Sequence, residues 1–481
     1  ARYIPGWDCH GLPIEWKIEE QYRKKGKDKD QVPVAEFRQE CRDFAAHWLN
    51  VQSEEFQRLG VLGDWHDPYT TMAYDAEATI AAELGKILMD GSLYRGTKPV
   101  MWSPVEKTAL AEAEIEYEDH ISTTIYARFP VLKASHDALE GASILIWTTT
   151  PWTMPGNRAM ACGNDIEYSV VRIDAIDAGS HAKLGDVIAL ASQLCEEVLL
   201  GIGVSKHTVL HAVMGSDCVG TIAAHPLAAD GYDHEVPLFH ADYVTTDQGT
   251  GFVHIAPGHG VEDYELAHLQ HGVPVPDTVA EDGKIMEHLP LFAGMHVLRD
   301  NQKIAEMMAE RGGVIGIGKL SHSYPHSWRS KAPLVYRNTS QWFVSMSSHG
   351  LRDTAVSELE KTAFYPPAGQ NRLTSMIAQR PDWCLSRQRA WGVPLTIFVH
   401  KESGEPLRDQ AVIDRIVAAM RVEGADCWFA SDSSRFLGPD YDADEYEKIT
   451  DILDVWFDSG STHAFVLEER DDLHSPADLY L

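Results

Sequence analysis

From about residue 120 to about residue 315 the chain is broken into short β-branched runs, and no other feature limits its fold so tightly. TTIYARFPV (123–131), SILIWTTT (143–150), YSVVRID (168–174), DVIALAS (186–192) and GTGFVHIAP (249–257) are each bounded by Gly, Pro, Asp or Asn. Runs of that length with those boundaries read as strands joined by tight connections. The flanks have another character. Val34, Phe37, Cys41, Phe44 and Trp48 recur at three- and four-residue steps, as do Ile80, Leu84, Ile87 and Leu88 ahead of Gly91. That spacing is one face of an amphipathic helix, and Gly91 fits a C-terminal cap. After about residue 330 the pattern mixes, with VPLTIFVH (393–400) as a strand and QAVIDRIVAAMRV (410–422) as a helix. A β-rich domain inserted between more helical flanks is the expected organisation.

Composition excludes some classes and leaves one conflict. No run of about 18 apolar residues is present, so no membrane-spanning helix and no membrane partner is expected. Seven cysteines, at 9, 41, 162, 195, 218, 384 and 427, form no C-x-x-C pair, which points to reduced thiols and a cytoplasmic setting. The 41 basic and 72 acidic residues give a formal charge of −31. That is the wrong sign for neutralising phosphates, although a local basic groove can coexist with it. The acidic stretch GPDYDADEYEK (438–448) reads as a solvated loop.

Four segments carry chemistry. In PGWDCHGLPIEWKIEE (5–20) a Gly-punctuated loop feeds a helix whose first turn tolerates Pro13. Asp8 and His10 there are either turn and cap residues or, for Asp8, a carboxylate able to hold a cationic amino group. In IWTTTPWTMPGNRAM (146–160), Thr148, Thr149 and Thr150 present three hydroxyls before Pro151 ends the ladder. Such a strand end suits a sugar hydroxyl or a hydrolytic water. In GTGFVHIAPGHGVEDYELAH (249–268), His254, His259 and Asp263 gather around an A-P-G turn. Packing beneath that turn and metal ligation both compete for these imidazoles, yet His254, His259, His268 and His271 match no ligand spacing of the H-E-x-x-H kind. In RPDWCLSRQRAWGVP (380–394) and DVWFDSGSTHAF (454–465), Trp383, Trp391 and Trp456 are either core residues or pocket walls. Arg387 and Arg389 are candidate forks for phosphate, and Asp454 and Asp458 are candidate catalytic carboxylates.

Taken in order, PGWDCHGLPIE, WTTTPWT, APGHG-x-x-DY, PDWC-x-SRQR-x-WG and DVWFDSGS resemble bacterial isoleucyl-tRNA synthetases over essentially the whole chain. His10 and the run Thr150-Pro151-Trp152 favour isoleucyl over leucyl or valyl relatives. The resemblance implies an α/β fold: a partial class I catalytic domain of Rossmann type, split by an inserted β-barrel editing domain. The implied division is 1–110 for the first catalytic part, 111–320 for the editing domain, and 321–481 for the return to the catalytic domain. It implies that Asp8 receives the α-amino group of isoleucine, with His10 and Trp456 at the same pocket. Thr148, Thr149, Thr150, Trp152, Asn157, His254 and Asp263 would build the editing pocket. There Asp263 would grip the amino group, His254 would exclude isoleucine, and Thr149 and Asn157 would orient the terminal adenosine and the water.

Isoleucine, ATP with Mg2+ and tRNA(Ile) are the implied partners of a monomeric ligase. The HIGH-type and KMSKS-type motifs would lie before Ala1 and after Leu481, so this polypeptide alone is not expected to form the adenylate. Where some relatives carry zinc-binding C-x-x-C pairs, this chain has Ser103, Glu106, Ser327 and Ser330, so no zinc is expected here. The rival readings are a valyl- or leucyl-type synthetase and a metal-dependent hydrolase built on His254 and His259.

Overall fold

The computed structural model describes residues 3–479. It falls into two units, one made of Ala1–Gly96 with Ser340–Leu481 and the other of Thr97–Thr339. The second is continuous in sequence and interrupts the first. The architecture is mixed α/β, with several sheets.

The interrupted unit is mainly helical. Leu12–Lys24 starts beyond Gly11, which has φ 93°, and carries Pro13 in its first turn. Tyr74–Asp90 ends on Gly91 in the left-handed region, with φ 84°. Its buried Ile80, Leu84 and Leu88 meet Val412, Ile416 and Met420 of Gln410–Glu423 in a core completed by Trp428, Phe436 and Leu453. Gly85 sits at that crossing, where a Cβ would come within 2.7 Å of Ile413, so the helices approach through a missing side chain. The stripe expected on Val34–Arg58 is buried only in its middle, at Phe37 and Cys41; Val34 and Trp48 are exposed. The anticipated strand at 393–400 contracts to Phe398–His400. Gly6–Trp7 pairs in parallel with Tyr69–Thr70.

The continuous unit is built on a ten-stranded sheet. Every anticipated β-branched run lies in it, as Ile115–Lys133, Ser143–Thr148, Glu167–Ile176, Val187–Ala191 and Phe252–Ile255. The long strand Ile115–Lys133 pairs with Val314–Ser327 along its outer part and with Ser143–Thr148 along its inner part. From there the order continues through Ile222–Ala224, Glu235–His240, Ala159–Cys162 and Phe252–Ile255. This is an open path; no ladder among the described residues closes it into a ring. Gly251, with φ 76°, lets its strand lie against Ala191, where a Cβ would come within 2.5 Å of the alanine methyl. All seven cysteines are free thiols.

Candidate functional site

In the continuous unit the threonine row and the A-P-G turn meet. Ser143–Thr148 ends at Thr148, and a 3-10 turn over Pro151–Gly156 follows. Thr148 Oγ1 lies 3.2 Å from Thr150 Oγ1, and Thr150 Oγ1 lies 3.3 Å from Thr153 Oγ1. Thr153 Oγ1 donates to the Thr150 carbonyl at 2.8 Å and lies 2.9 Å from His254 Nε2. The other ring nitrogen of His254, Nδ1, is 3.1 Å from Asn157 Nδ2, which also donates to the Ala159 carbonyl at 2.9 Å.

These contacts fix the imidazole. An amide NH2 only donates, so Nδ1 of His254 is the acceptor and the proton sits on Nε2. That N–H donates to Thr153, whose own hydroxyl proton is directed at the Thr150 carbonyl. Burial pushes the His254 pKa down to about 4, with the neighbouring His259 opposing its charge further. His259 is held in the same way: Nδ1 donates to the Tyr336 carbonyl at 2.9 Å and Nε2 accepts from Thr278 Oγ1 at 2.5 Å. Its pKa is also pushed down to about 4 by burial. Each imidazole is neutral with both nitrogens engaged, so neither has a lone pair free for a metal or for a proton from water. Among the described residues no group of three or more His, Cys, Asp or Glu side chains is arranged to hold a metal ion.

Asp263 shares the A-P-G turn. Its Oδ2 accepts from the Ala256 amide at 2.7 Å, two residues beyond His254. Burial raises its pKa to about 7, against the lowering by that amide, and Glu262 adds to the rise. A poorly solvated carboxylate with so little compensation attracts a cation. Gly260 makes the geometry available, since a Cβ there would lie 3.1 Å from Asp263 Cγ. Gly156 does the same for His259, whose Cδ2 would lie 3.0 Å from a Cβ. Trp152 is buried with its ring edge-on to His259 at 4.9 Å. Thr149 is half-buried, and no protein partner is recorded for its hydroxyl among the described residues.

In the interrupted unit, Asp8 is exposed and accepts from Ser459 Oγ at 2.6 Å. Trp456 is 49% exposed on the short helix Val455–Gly460. His10 is only 3% exposed: its Nδ1 is 2.8 Å from Asp458 Oδ2 and its Nε2 is 3.4 Å from Glu77 Oε1. Burial alone would lower its pKa, and the two carboxylates more than reverse that, leaving it raised. His10 therefore joins two buried acids that favour its protonated form, while Asp8 and Trp456 are exposed.

The arginines anticipated as phosphate forks turn inward. Arg387 Nη2 meets Asp454 Oδ2 at 3.0 Å, and Arg389 meets Glu15 and Glu19 at 3.1 and 2.9 Å. Their partners come from elements far away in sequence, so spacing could not reveal them. Asp454 accepts from the Trp456 amide as a helix cap, and Trp391 is fully buried. Ser103, Glu106, Ser327 and Ser330 come together, with Glu106 Oε1 accepting from Ser327 Oγ at 2.8 Å and the Ser330 amide at 3.2 Å. Thr153 is the member of the hydroxyl and imidazole cluster at His254 that sequence reading missed. Its only sequence signal is a hydroxyl three residues past Thr150.

A family model described as tRNA synthetases class I (I, L, M and V) matches residues 1–481, and the chain belongs to that family. Among its relatives are proteins named isoleucine–tRNA ligase. The one from Pelagibacter ubique (strain HTCC1062) is 52% identical over 479 residues, covering 100% of this chain and 52% of the relative. Those from Gluconobacter oxydans (strain 621H) and Caulobacter vibrioides are 51% and 52% identical, covering 100% of this chain and 51% of each relative. The chain spans about half the length of the curated relatives it matches.

Proposed function

We propose that this chain is part of an isoleucine–tRNA ligase and that residues 111–320 are its inserted, barrel-like editing domain, hydrolysing valyl-tRNA(Ile). Residues 1–110 and 321–481 then belong to the Rossmann-type catalytic domain. Isoleucine and valine differ by one methylene, worth about 1–3 kcal/mol to an apolar pocket, a figure for which this enzyme family is itself the standard example. A second pocket that admits only the smaller product multiplies the discrimination.

The observation that carries the reading is the desolvated Asp263, bound to the Ala256 amide two residues beyond the His254 that Thr153 holds. Asp263 receives the ammonium of the mischarged valine, replacing the solvation that burial removed. Thr149, whose hydroxyl is uncommitted, and Asn157 orient the terminal adenosine and the water. Water oxygen bonds to the ester carbonyl carbon, and the bond to the ribose oxygen breaks. That oxygen takes up one water proton as the ribose hydroxyl, and valine leaves as its carboxylate with the other proton released to solvent. His254, fixed between Asn157 and Thr153, is a wall rather than a base. It and Trp152 set the size limit that excludes isoleucine. Thr148 and Thr150 hold the strand end in register with that wall.

In the interrupted unit Asp8, oriented by Ser459, takes the α-amino group of isoleucine, and Trp456 borders its side chain. His10 acts there by holding Asp458. ATP with Mg2+ and tRNA(Ile) are partners of the whole cytoplasmic, monomeric ligase, and no residue of this chain is assigned to the nucleotide. The test is deacylation of valyl-tRNA(Ile) by this chain and its Asp263→Ala variant. The reading expects turnover by the first and none by the second; equal rates would refute it.

A further inference from the structure

Behind the 3-10 turn that carries Trp152, Thr153 and Asn157 lies a second pair of histidines that sequence reading did not single out. His225 is 1% exposed. Its Nε2 is 2.9 Å from the Met154 carbonyl, and its Nδ1 accepts from the Leu227 amide at 3.1 Å. A carbonyl can only accept and an amide N–H can only donate, so the ring carries one proton, on Nε2. It stacks on Tyr232 at 5.0 Å and lies 5.3 Å from the ring of His234. Tyr232 is anchored by its hydroxyl donating to the Pro290 carbonyl at 2.8 Å. His234 Nε2 is 2.9 Å from the Asn157 carbonyl, which also accepts from Arg158 Nη1 at 2.5 Å.

We propose that His225 and His234 are positioning residues for the editing pocket, tying the Met154 and Asn157 carbonyls so that the turn presents Thr153 and Asn157 to His254 at the spacing that separates valine from isoleucine. The inference rests on the editing reading and deepens it. The turn's own backbone bonds are Thr153 N to Thr150 O and Asn157 N to Met154 O, Arg158 Nη1 donates to the Pro155 carbonyl at 3.3 Å, and the helix Asn301–Glu310 packs against it. The Met154 carbonyl is thus held by His225, and the Asn157 carbonyl by His234 and Arg158. Met154 lies between the two residues that grip His254, so a shift of its carbonyl moves both. A wall displaced by a fraction of an ångström changes which side chain fits, while the ammonium anchor on Asp263 stays in place. His225 touches neither substrate nor His254. Its effect is therefore on discrimination.

The test compares the chain with His225→Phe, His225→Gln, His234→Phe and His234→Gln, measuring hydrolysis of valyl-tRNA(Ile) and isoleucyl-tRNA(Ile) as kcat and KM. Gln places an amide N–H near the position of the histidine Nε2–H, and Phe keeps a ring without a donor. The Phe variants should lower the valyl-to-isoleucyl ratio of kcat/KM by about tenfold, the scale of one buried hydrogen bond. The effect should be smaller for His234, whose carbonyl keeps Arg158. The Gln variants should recover most of the ratio. Equal losses for both esters, or a Gln variant no better than Phe, would overturn the inference. If His225→Phe fails to fold, the half-buried His234 variants decide it. Absence of valyl-tRNA hydrolysis by the unsubstituted chain would instead strike the editing reading itself, so the two failures are distinguishable.

Discussion

The Nε2 of His254 stands 2.9 Å from the hydroxyl of Thr153, and through that contact the strand holding the histidine is tied to the turn that follows the threonine row. Both groups are buried, so the bond has no water to replace it. Thr153→Val keeps the shape and removes the acceptor. It should cost about 1–3 kcal/mol in unfolding free energy, the penalty of an orphaned buried N–H. It should also raise hydrolysis of isoleucyl-tRNA(Ile) relative to valyl-tRNA(Ile). Denaturant melts and paired deacylation assays check the two effects. Wild-type stability in the variant would show that the contact contributes nothing.

If Asp263 holds the ammonium as proposed, editing is expected to depend on pH. Its carboxyl is raised to about 7, so below neutrality much of it is protonated and cannot hold an ammonium. The KM for valyl-tRNA(Ile) should fall as pH rises from 6 to 8. Stability moves oppositely. Between about pH 4 and 7 the folded state keeps a proton that the unfolded chain has lost, so rising pH destabilises the fold through that window. Asp263→Asn removes the penalty and should be more stable than the parent at pH 8 by roughly 1 kcal/mol, while losing deacylation. A pH-independent KM would contradict the assignment.

His10 gives the interrupted unit its own pH dependence. The raised pKa means its contribution is complete below the unfolded value of 6.5 and is lost as pH rises through the folded value. Asp458, pushed up to about 6 by burial, adds to the same trend from the acid side. Melts from pH 6 to 9 should show declining stability. His10→Asn should flatten that slope and cost about 3–5 kcal/mol at pH 6, because it strands two buried carboxylates.

Much of this was legible in the sequence, and the exceptions have physical causes. Period and punctuation located five strands of the continuous unit and the caps at Pro13 and Gly91, because those signals are local, while strands such as Val204–Met214 and Val314–Ser327 were not anticipated. Chemistry written in short motifs led to Thr148, Thr150 and His254, which the structure links through Thr153, and to Asp263, which binds the Ala256 amide two residues beyond His254. Arg387 and Arg389 could not be read, since the carboxylates that draw them inward lie on other elements. His10 was assigned to a ligand pocket on its motif, yet burial and its two acids decide its surroundings. His225 and His234 act through backbone carbonyls, and a residue that binds main chain leaves no pattern at its partner's position.

The cluster of Ser103, Glu106, Ser327 and Ser330 should behave as a metal-free knot. Glu106→Ala unpairs the Ser327 hydroxyl and leaves the Ser330 amide only its 3.4 Å contact with Ser327 Oγ, and should lower the unfolding free energy by about 1–3 kcal/mol. Chelator should leave the melting temperature of the parent unchanged. A chelator-dependent melt would place a metal where hydrogen bonds are described.

The central claim is that a pocket in the continuous unit accepts valine and refuses isoleucine. Single-turnover deacylation of valyl-tRNA(Ile) and isoleucyl-tRNA(Ile) by this chain, side by side, tests it most directly. The account predicts rapid release of valine with isoleucine left on its tRNA. Equal release of both, or release of neither, would contradict it.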